Sequence, residues 1–237
     1  MTNESISEAP RPPVADRAAF QAELDRLRVR EKAHTREGDA IAAARRPLPM
    51  VEVDPRTPLT GADGPVPLID IFDGRAQLIA YYHMWHTGRP AAEQCEGCTF
   101  NTSHVTELAY LHSRDVSYAV LCEGPYEEAS RYREFMGYPV PWYSVPPDSV
   151  DRLIAGRYFG ILACYLRDGD RVFETYWTSG RGDEVMLGFS GWPVPAGGRA
   201  AGGPAGADPG RARRRSWRHA GRMDRVFLLT PQWIGCW

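Results

Sequence analysis

Two cysteines at a spacing of three follow the strongest strand pattern in the chain. Cys95 and Cys98 enclose Glu96-Gly97 and come after the apolar run from Leu78 to Trp85. Thiols at this spacing on the first turn of a helix can close a small disulfide, and the free backbone N–H groups of that turn favour a thiolate. In a redox site Cys95 would be the exposed, attacking thiolate and Cys98 would resolve the mixed disulfide. Half of a zinc site and an inert cysteine pair share the same pattern.

The zinc alternative would add two histidines to the cysteines. His83 and His86 together with Cys95 and Cys98 make an acceptable set of zinc ligands. Residues three apart on a strand point to opposite faces, so the two imidazoles converge only if the strand ends between them. We therefore predict no metal and no cofactor, and we keep this four-residue set as the weaker alternative.

Composition narrows the classes of protein. The chain has 237 residues, 43% of them hydrophobic, and a formal net charge of −2, which argues against nucleic-acid and anionic-membrane partners. Residues 1–13 are polar and Pro-rich, so we expect no secretory signal and a cytoplasmic location. Thiols are kept reduced there, which favours catalysis or metal binding over a structural disulfide. The expected partner is a protein or small-molecule thiol or disulfide, with a homodimer left open.

The N-terminal part should be a helical arm. We predict disorder over residues 1–15 and a helix over residues 16–49, because Asp16 can cap its start and apolar residues recur at helical spacing. Gly38 is expected to divide this helix. After it come a short strand at Met50 to Val53 and hairpin turns at Gly61 and at Asp63-Gly64.

The main domain, residues 50–187, should alternate strands and helices. Such alternation indicates right-handed βαβ units and a parallel core. The order β-α-β-α-β-β predicts an α/β, thioredoxin-like fold: three α/β/α layers on a central mixed sheet, with an N-terminal helical extension. The predicted elements are strands from Gln77 to Trp85 and Val116 to Cys122, helices from Thr99 to His112 and Tyr126 to Met136, and a hairpin of Tyr158 to Leu166 with Val172 to Trp177.

Several blocks of sequence, in order, resemble a known family. From about Phe20 to Gly182 the chain is similar to the bacterial thioredoxin-like family called domain of unknown function 899 (DUF899). The resemblance implies a thioredoxin fold. The blocks are Glu31-Lys32-Ala33-His34-Thr35-Arg36, Arg45-Arg46-Pro47-Leu48-Pro49-Met50, Phe72-Asp73-Gly74-Arg75-Ala76-Gln77-Leu78, Gln94-Cys95-Glu96-Gly97-Cys98-Thr99-Phe100, Arg114-Asp115-Val116, Met136-Gly137-Tyr138 with Pro141-Trp142, and Val172-Phe173-Glu174-Thr175-Tyr176.

The cysteine motif departs from the thioredoxin pattern. Gln94 stands where thioredoxins have Trp, and Glu96-Gly97 stands where they have Gly-Pro. Carboxylates at Glu93 and Glu96 are expected to raise a neighbouring thiol's pKa. No proline comes directly before the strand near Tyr158, where thioredoxins keep a cis-proline. A peroxiredoxin-like site would need Thr three residues before its cysteine, and that position is Ala92.

Two aromatic residues and two cysteines outside the motif also bear on the site. Trp142 and Tyr143 follow the second helix of the core and are candidates for a hydrophobic substrate groove, with core packing as the alternative. Cys122 and Cys164 lie in apolar strands, where a cysteine behaves as a small hydrophobe. The leading hypothesis is a thiol–disulfide oxidoreductase. The alternative is a non-catalytic module that binds a partner or zinc through the same cysteines.

The composition changes after about Gly188. Residues 188–237 are rich in Gly, Ala, Arg and Pro, so we predict a disordered tail. Two other interpretations are a basic segment that binds a polyanion and a shifted reading frame of a GC-rich gene.

Overall fold

Apolar strands at the centre of the chain set the architecture. The computed structural model describes residues 12–180, which form one eight-stranded mixed sheet and five α-helices. Every residue of β5 is buried, and so is every residue of β4 after the first, as expected for central strands covered on both sides. The strands are β1 (Val51–Val53), β2 (Pro58–Gly61), β3 (Gly64–Pro67), β4 (Gln77–His83), β5 (Val116–Cys122), β6 (Trp142–Ser144), β7 (Ile161–Asp168) and β8 (Arg171–Ser179).

The strand order defines a thioredoxin-like fold. The sheet runs β1-β8-β7-β4-β5-β6-β2-β3, with β4, β5 and β6 parallel. On the other side of β4, strands β7 and β8 form an antiparallel hairpin. The predicted order of elements, with two parallel strands joined through a helix and followed by a hairpin, is present as four core strands in the order β8-β7-β4-β5. The thioredoxin-like prediction is therefore confirmed.

Five helices surround or precede the sheet. They are α1 (Arg17–Arg45), α2 (Glu96–Ser103), α3 (Ala109–His112), α4 (Tyr126–Met136) and α5 (Pro147–Ile154), and a 3₁₀ helix covers Leu68–Phe72. Helix α4 begins after Pro125 and ends at Gly137, whose φ of 68° is the left-handed conformation that glycine adopts most readily.

The sheet has two faces with different coverings. We call the face that packs against α2 and α4 the dithiol face; it presents Ile79, Tyr81 and Cys122 from the central strands. We call the other the opposite face; it packs against the 3₁₀ helix and α5. Side chains alternate along each strand, so Tyr81 and Tyr82 are buried on different faces.

One predicted helix is wrong, and two short elements were not predicted. The predicted helix from Thr99 to His112 is two helices, α2 and α3, separated by residues 104–108. The Ser103 hydroxyl donates to the Thr99 carbonyl and His104 Nδ1 to the Phe100 carbonyl, and such side-chain bonds compete with the helical ladder. Strand β6 and helix α5 were missed because residues 138–150 are rich in proline.

The described chain divides into two compact units, residues 12–36 and residues 37–180. Asp16 caps α1 as predicted, since its Oδ1 accepts the Ala19 N–H at 2.8 Å. Gly38 does not divide the helix. In the second unit, the Arg45 guanidinium lies 4.6 Å from the centre of the Tyr176 ring on β8. Residues 1–11 and the predicted tail, 188–237, lie outside the described residues.

Candidate thiol site

Cys95 and Cys98 lie at the start of α2, at the carboxyl end of β4. Cys95 is the N-cap residue and is half-buried, whereas Cys98 lies one turn further along and is 2% exposed. The two thiols are in hydrogen-bond contact and carry no disulfide bond between them. The structure therefore brings together the two residues predicted to act as a pair, with Cys95 the more accessible.

The Cys98 sulfur accepts hydrogen bonds from the end of β4. The Met84 N–H lies 3.4 Å from Cys98 Sγ, and the Tyr81 hydroxyl also contacts it. Burial raises the pKa of the Cys98 thiol to about 12, against these two donors, which lower it. Contact with Cys95 adds to the rise. Cys98 is therefore a thiol at neutral pH, held where donors can support a thiolate as it forms.

Gln94 fixes the segment that leads to Cys95. Its side chain is buried, and its Oε1 accepts the His86 N–H at 2.9 Å. Its Nε2 donates to the carbonyls of His86 and Arg89 at 2.9 and 3.0 Å. All of these bonds join Gln94 to the loop after β4. In the sequence, Gln94 stands out only as a departure from the thioredoxin Trp, because a single Gln before a cysteine carries no signal of this role.

A second set of bonds ties Cys95 to helix α4. The Thr99 hydroxyl donates to the Cys95 carbonyl at 2.9 Å, and the Tyr132 hydroxyl lies 2.6 Å from that of Thr99. The Tyr138 hydroxyl donates to the Thr99 carbonyl at 3.2 Å. The first turn of α2 is thus held from its own helix and from α4.

Trp85 forms the wall next to the dithiol. Its Nε1 donates to Glu128 at 3.1 Å, and Gly88 N–H donates to the same carboxylate oxygen at 3.0 Å. These bonds, the Gly88 N–H first, hold the pKa of Glu128 below its usual range. Gly124 allows the indole to lie this close, because a Cβ there would be 1.9 Å from Trp85 Cδ1.

His83 lies fully buried at the end of β4. Its Nδ1 donates to the Met84 carbonyl at 2.8 Å, which makes Nε2 an acceptor; Nε2 has no hydrogen-bond partner within residues 12–180. Rings surround it, the nearest being Trp142 at 5.1 Å between centroids. Burial lowers the pKa of His83 to about 4, so the imidazole is neutral at physiological pH.

The structure does not assemble the alternative zinc set. In the part of the chain that the structure describes, no three His, Cys, Asp or Glu side chains lie close enough to bind one metal ion. His83 Nδ1 is bonded to the Met84 carbonyl, and His86 Nδ1 lies 2.9 Å from the Glu93 carbonyl. The described structure therefore does not bring His83, His86, Cys95 and Cys98 together as one group of metal ligands, and the prediction of no metal stays a prediction.

Trp142 and Tyr143 lie on different faces of the sheet. Trp142 is 3% exposed and packs in the core of the dithiol face, stacked on Tyr138 at 5.9 Å. Tyr143 is half-buried against the core of the opposite face. The two residues that were candidates for one groove are thus separated by the sheet, and Trp142 has the core packing that was the alternative.

Cys122 and Cys164 are buried in the core of the dithiol face, and burial raises the pKa of Cys122 to about 12. Gly160 precedes β7, where thioredoxins keep a cis-proline, and donates its N–H to the Tyr82 carbonyl at 2.7 Å. Residues 12–180 contain no cis peptide bond. None of the helices in these residues has both the length and the apolar composition needed to cross a membrane.

Fold and site together define a thioredoxin-like protein with two adjacent thiols at the start of the first core helix. The chain matches the family described as bacterial protein of unknown function (DUF899) over residues 9–217, and it belongs to that family. This confirms the resemblance, but the predicted limits of Phe20 and Gly182 were too narrow at both ends. No curated protein matches the chain.

The chain also shows weak similarity to several solved structures. One is a thiol:disulfide interchange protein DsbE of Chlorobium tepidum, with 15% sequence identity and a TM-score of 0.39. The alignment covers 59% of this chain and 93% of that chain. Peroxidoxin BcpB of Mycobacterium tuberculosis is 17% identical, with a TM-score of 0.38, and the alignment covers 55% of this chain and 87% of that chain. The apo Sco1 protein of Thermus thermophilus is 18% identical, with a TM-score of 0.36, and the alignment covers 59% of this chain and 87% of that chain. Similarity at this level does not assign an activity to the chain.

Proposed function

We propose that this protein is a thiol–disulfide oxidoreductase that uses Cys95 and Cys98 as a reversible dithiol. The observation that carries the proposal is the contrast between two thiols in contact, Cys95 half-buried and Cys98 buried. A substrate disulfide can reach Cys95 and not Cys98. This difference sets the order of the two exchange steps.

The reaction consists of two thiol–disulfide exchanges. The Cys95 thiolate attacks one sulfur of the substrate disulfide, and the other substrate sulfur leaves as a thiolate. Cys98 then loses its proton and attacks Cys95 Sγ, which closes the Cys95–Cys98 disulfide and releases the second substrate thiolate. Two electrons pass from the protein to the substrate, and an external thiol returns the pair to the dithiol form.

The surrounding residues support each step. Bonds from Gln94 and Thr99 hold the backbone on either side of Cys95, so the attacking sulfur stays at the helix start. Tyr81 and the Met84 N–H donate to Cys98 Sγ and stabilise the thiolate that closes the disulfide. A dithiol that acts as a reductant works in a reducing compartment, so the proposal includes a cytoplasmic location.

The test is the redox equilibrium of the pair. The protein is equilibrated in buffers with varied ratios of reduced to oxidised glutathione, quenched with acid and alkylated. Its intact mass is then measured by mass spectrometry, and peptide masses assign the modified cysteines. We expect a reversible loss of two hydrogens assigned to Cys95 and Cys98. The change should vanish in Cys95→Ser and persist in Cys164→Ser, a matched variant of a buried cysteine on the same face.

The absence of a Cys95–Cys98 disulfide would contradict the proposal. If the pair forms no disulfide at any glutathione ratio, the oxidoreductase proposal is wrong, and the thioredoxin-like domain is the non-catalytic partner-binding module considered as the alternative.

A further inference from the structure

A cleft of about 480 Å³ lies between helix α4 and the loop that leads to Cys95. This volume is in the range of sites that hold small molecules. The loop and the helix are the two elements that also hold the dithiol. The residues that line it include Trp85, Arg89, Ala91, Arg131, Tyr132 and Phe135.

The wall of the cleft is formed before any ligand arrives. The Trp85 indole is fixed by its bond to Glu128 and by the Tyr132 ring, 5.3 Å away between centroids. The Gly88 N–H bonds to the same Glu128 carboxylate, which joins the loop to the helix. A site held in this way loses little conformational entropy when a ligand binds.

The lining combines aromatic surface with a net positive charge. Two guanidinium groups, Arg89 and Arg131, face one carboxylate, Glu128, which already accepts two N–H groups. Arg89 pairs with Glu93, but both side chains are more than half exposed, so that pair is weak. Phe135 is 76% exposed and offers an apolar surface. The complementary ligand is small, partly apolar and anionic.

The cleft is connected to the dithiol by contacts. Tyr132 lines the cleft, and its hydroxyl bonds to Thr99, which bonds to the Cys95 carbonyl. Ala91, on the other wall, lies four residues before Cys95. The cleft therefore adjoins the two elements that position Cys95, the loop before it and the side chain of Tyr132.

We propose that this cleft binds the substrate of the dithiol, and that the substrate is a small disulfide carrying a carboxylate. The guanidinium groups bind the carboxylate, the aromatic rings contact the carbon chain, and one substrate sulfur meets Cys95. This inference rests on the proposed function, because it names the substrate class of the same site.

The test is a series of disulfides that differ in charge. The fully reduced protein is mixed with dithiodipropionate (anionic), bis(hydroxyethyl) disulfide (neutral) or cystamine (cationic), and the oxidation rate is divided by that of mercaptoethanol with the same disulfide. We expect the anionic disulfide to exceed the neutral one by about fivefold and the cationic one to be slowest. The preference should shrink in high salt.

Two arginine variants make the test specific. Arg131→Gln should lower the ratio of the anionic to the neutral rate. Arg114→Gln should leave that ratio unchanged, because Arg114 is exposed and comes just before β5, at the end of the strand away from Cys122. Equal rates for the three disulfides, or an unchanged ratio in Arg131→Gln, would overturn the cleft inference alone. Failure of all three to oxidise the pair would overturn the proposed function itself.

Discussion

The two faces of the central sheet use the same kinds of residue differently. On the opposite face, the Tyr82 hydroxyl bonds to that of Tyr165 at 2.5 Å, with both rings buried. On the dithiol face, the Tyr81 hydroxyl contacts Cys98 Sγ. Two adjacent tyrosines in one strand therefore support a closed core on one side and a reactive sulfur on the other.

The faces also differ in how well their buried polar atoms are satisfied. Several of these atoms on the dithiol side have no hydrogen-bond partner within residues 12–180: His83 Nε2, Thr102 Oγ1 and Ser144 Oγ. His83, Cys122 and Ser144 are register partners at the carboxyl ends of β4, β5 and β6. Each unsatisfied group costs about 1–3 kcal/mol. Both faces bury a hydrophobic core, but the dithiol face also keeps unpartnered polar groups, which lower its contribution to stability.

The largest expected effect concerns ring closure, the step in which Cys98 attacks a mixed disulfide at Cys95 and closes the Cys95–Cys98 disulfide. Its rate should depend strongly on pH, because Cys98 is buried on the dithiol face. Because burial raises the pKa of Cys98 to about 12, the rate at which Cys98 attacks a mixed disulfide at Cys95 should rise about tenfold per pH unit through the neutral range. The measurement is acid-quenched mass spectrometry of a Cys95 mixed disulfide at a series of pH values. A plateau near about pH 9, typical of an ordinary thiol, would contradict the prediction.

Among the described glycines, Gly124 leaves the least room for a Cβ. Gly124→Ala should lower the free energy of unfolding by about 3 kcal/mol, because its Cβ would overlap the Trp85 ring. Gly97→Ala is the matched control, since a Cβ there meets nothing within 4 Å and alanine favours the helix. Urea unfolding measures both. Equal effects of the two substitutions would show that the Trp85 wall is not fixed.

Acid should destabilise the protein through His83. The pKa of this imidazole falls from 6.5 to about 4 on folding, so between these values the unfolded chain binds a proton that the folded chain does not. The contribution of His83 to the free energy of unfolding is fully present above pH 6.5. It should fall by about 3 kcal/mol as the pH approaches 4.

The measurement is the slope of unfolding free energy against pH in the wild type and in His83→Gln. The slope should become smaller in the variant, whatever its absolute stability. An unchanged slope would assign the acid sensitivity to other groups.

Tyr81 and Tyr82 allow a direct comparison of the two faces, and substitutions there should have the smallest effects. Tyr82→Phe should cost about 1 kcal/mol of stability through the lost bond to Tyr165 and leave ring closure unchanged. Tyr81→Phe should slow ring closure several-fold, because the Cys98 thiolate loses a donor, with a smaller effect on stability. Unfolding and closure rates are measured on both variants. If both variants changed stability and closure rate in the same way, the proposed difference between the two faces would be wrong.

Local patterns were enough to predict much of the architecture. The apolar runs predicted β4 and β5, Pro125 and Gly137 predicted the ends of α4, and Asp168-Gly169 predicted the turn between β7 and β8. Strand β6 was not predictable because it has three residues among prolines, and it is stabilised by its pairing with β5. The break after α2 depends on side-chain bonds that compete with the helix, which periodicity does not show.

At the site, the sequence by itself determined that two thiols stand three residues apart at the start of a helix after a buried strand. These properties depend on neighbours along the chain, so residue types and spacing are sufficient. Only the tertiary structure decided that Cys98 is buried beside Tyr81 and Met84, that Gln94 holds the loop, and that the cleft opens against α4. Burial and hydrogen bonding there depend on residues brought together from different strands and helices, and that proximity exists only in the folded chain.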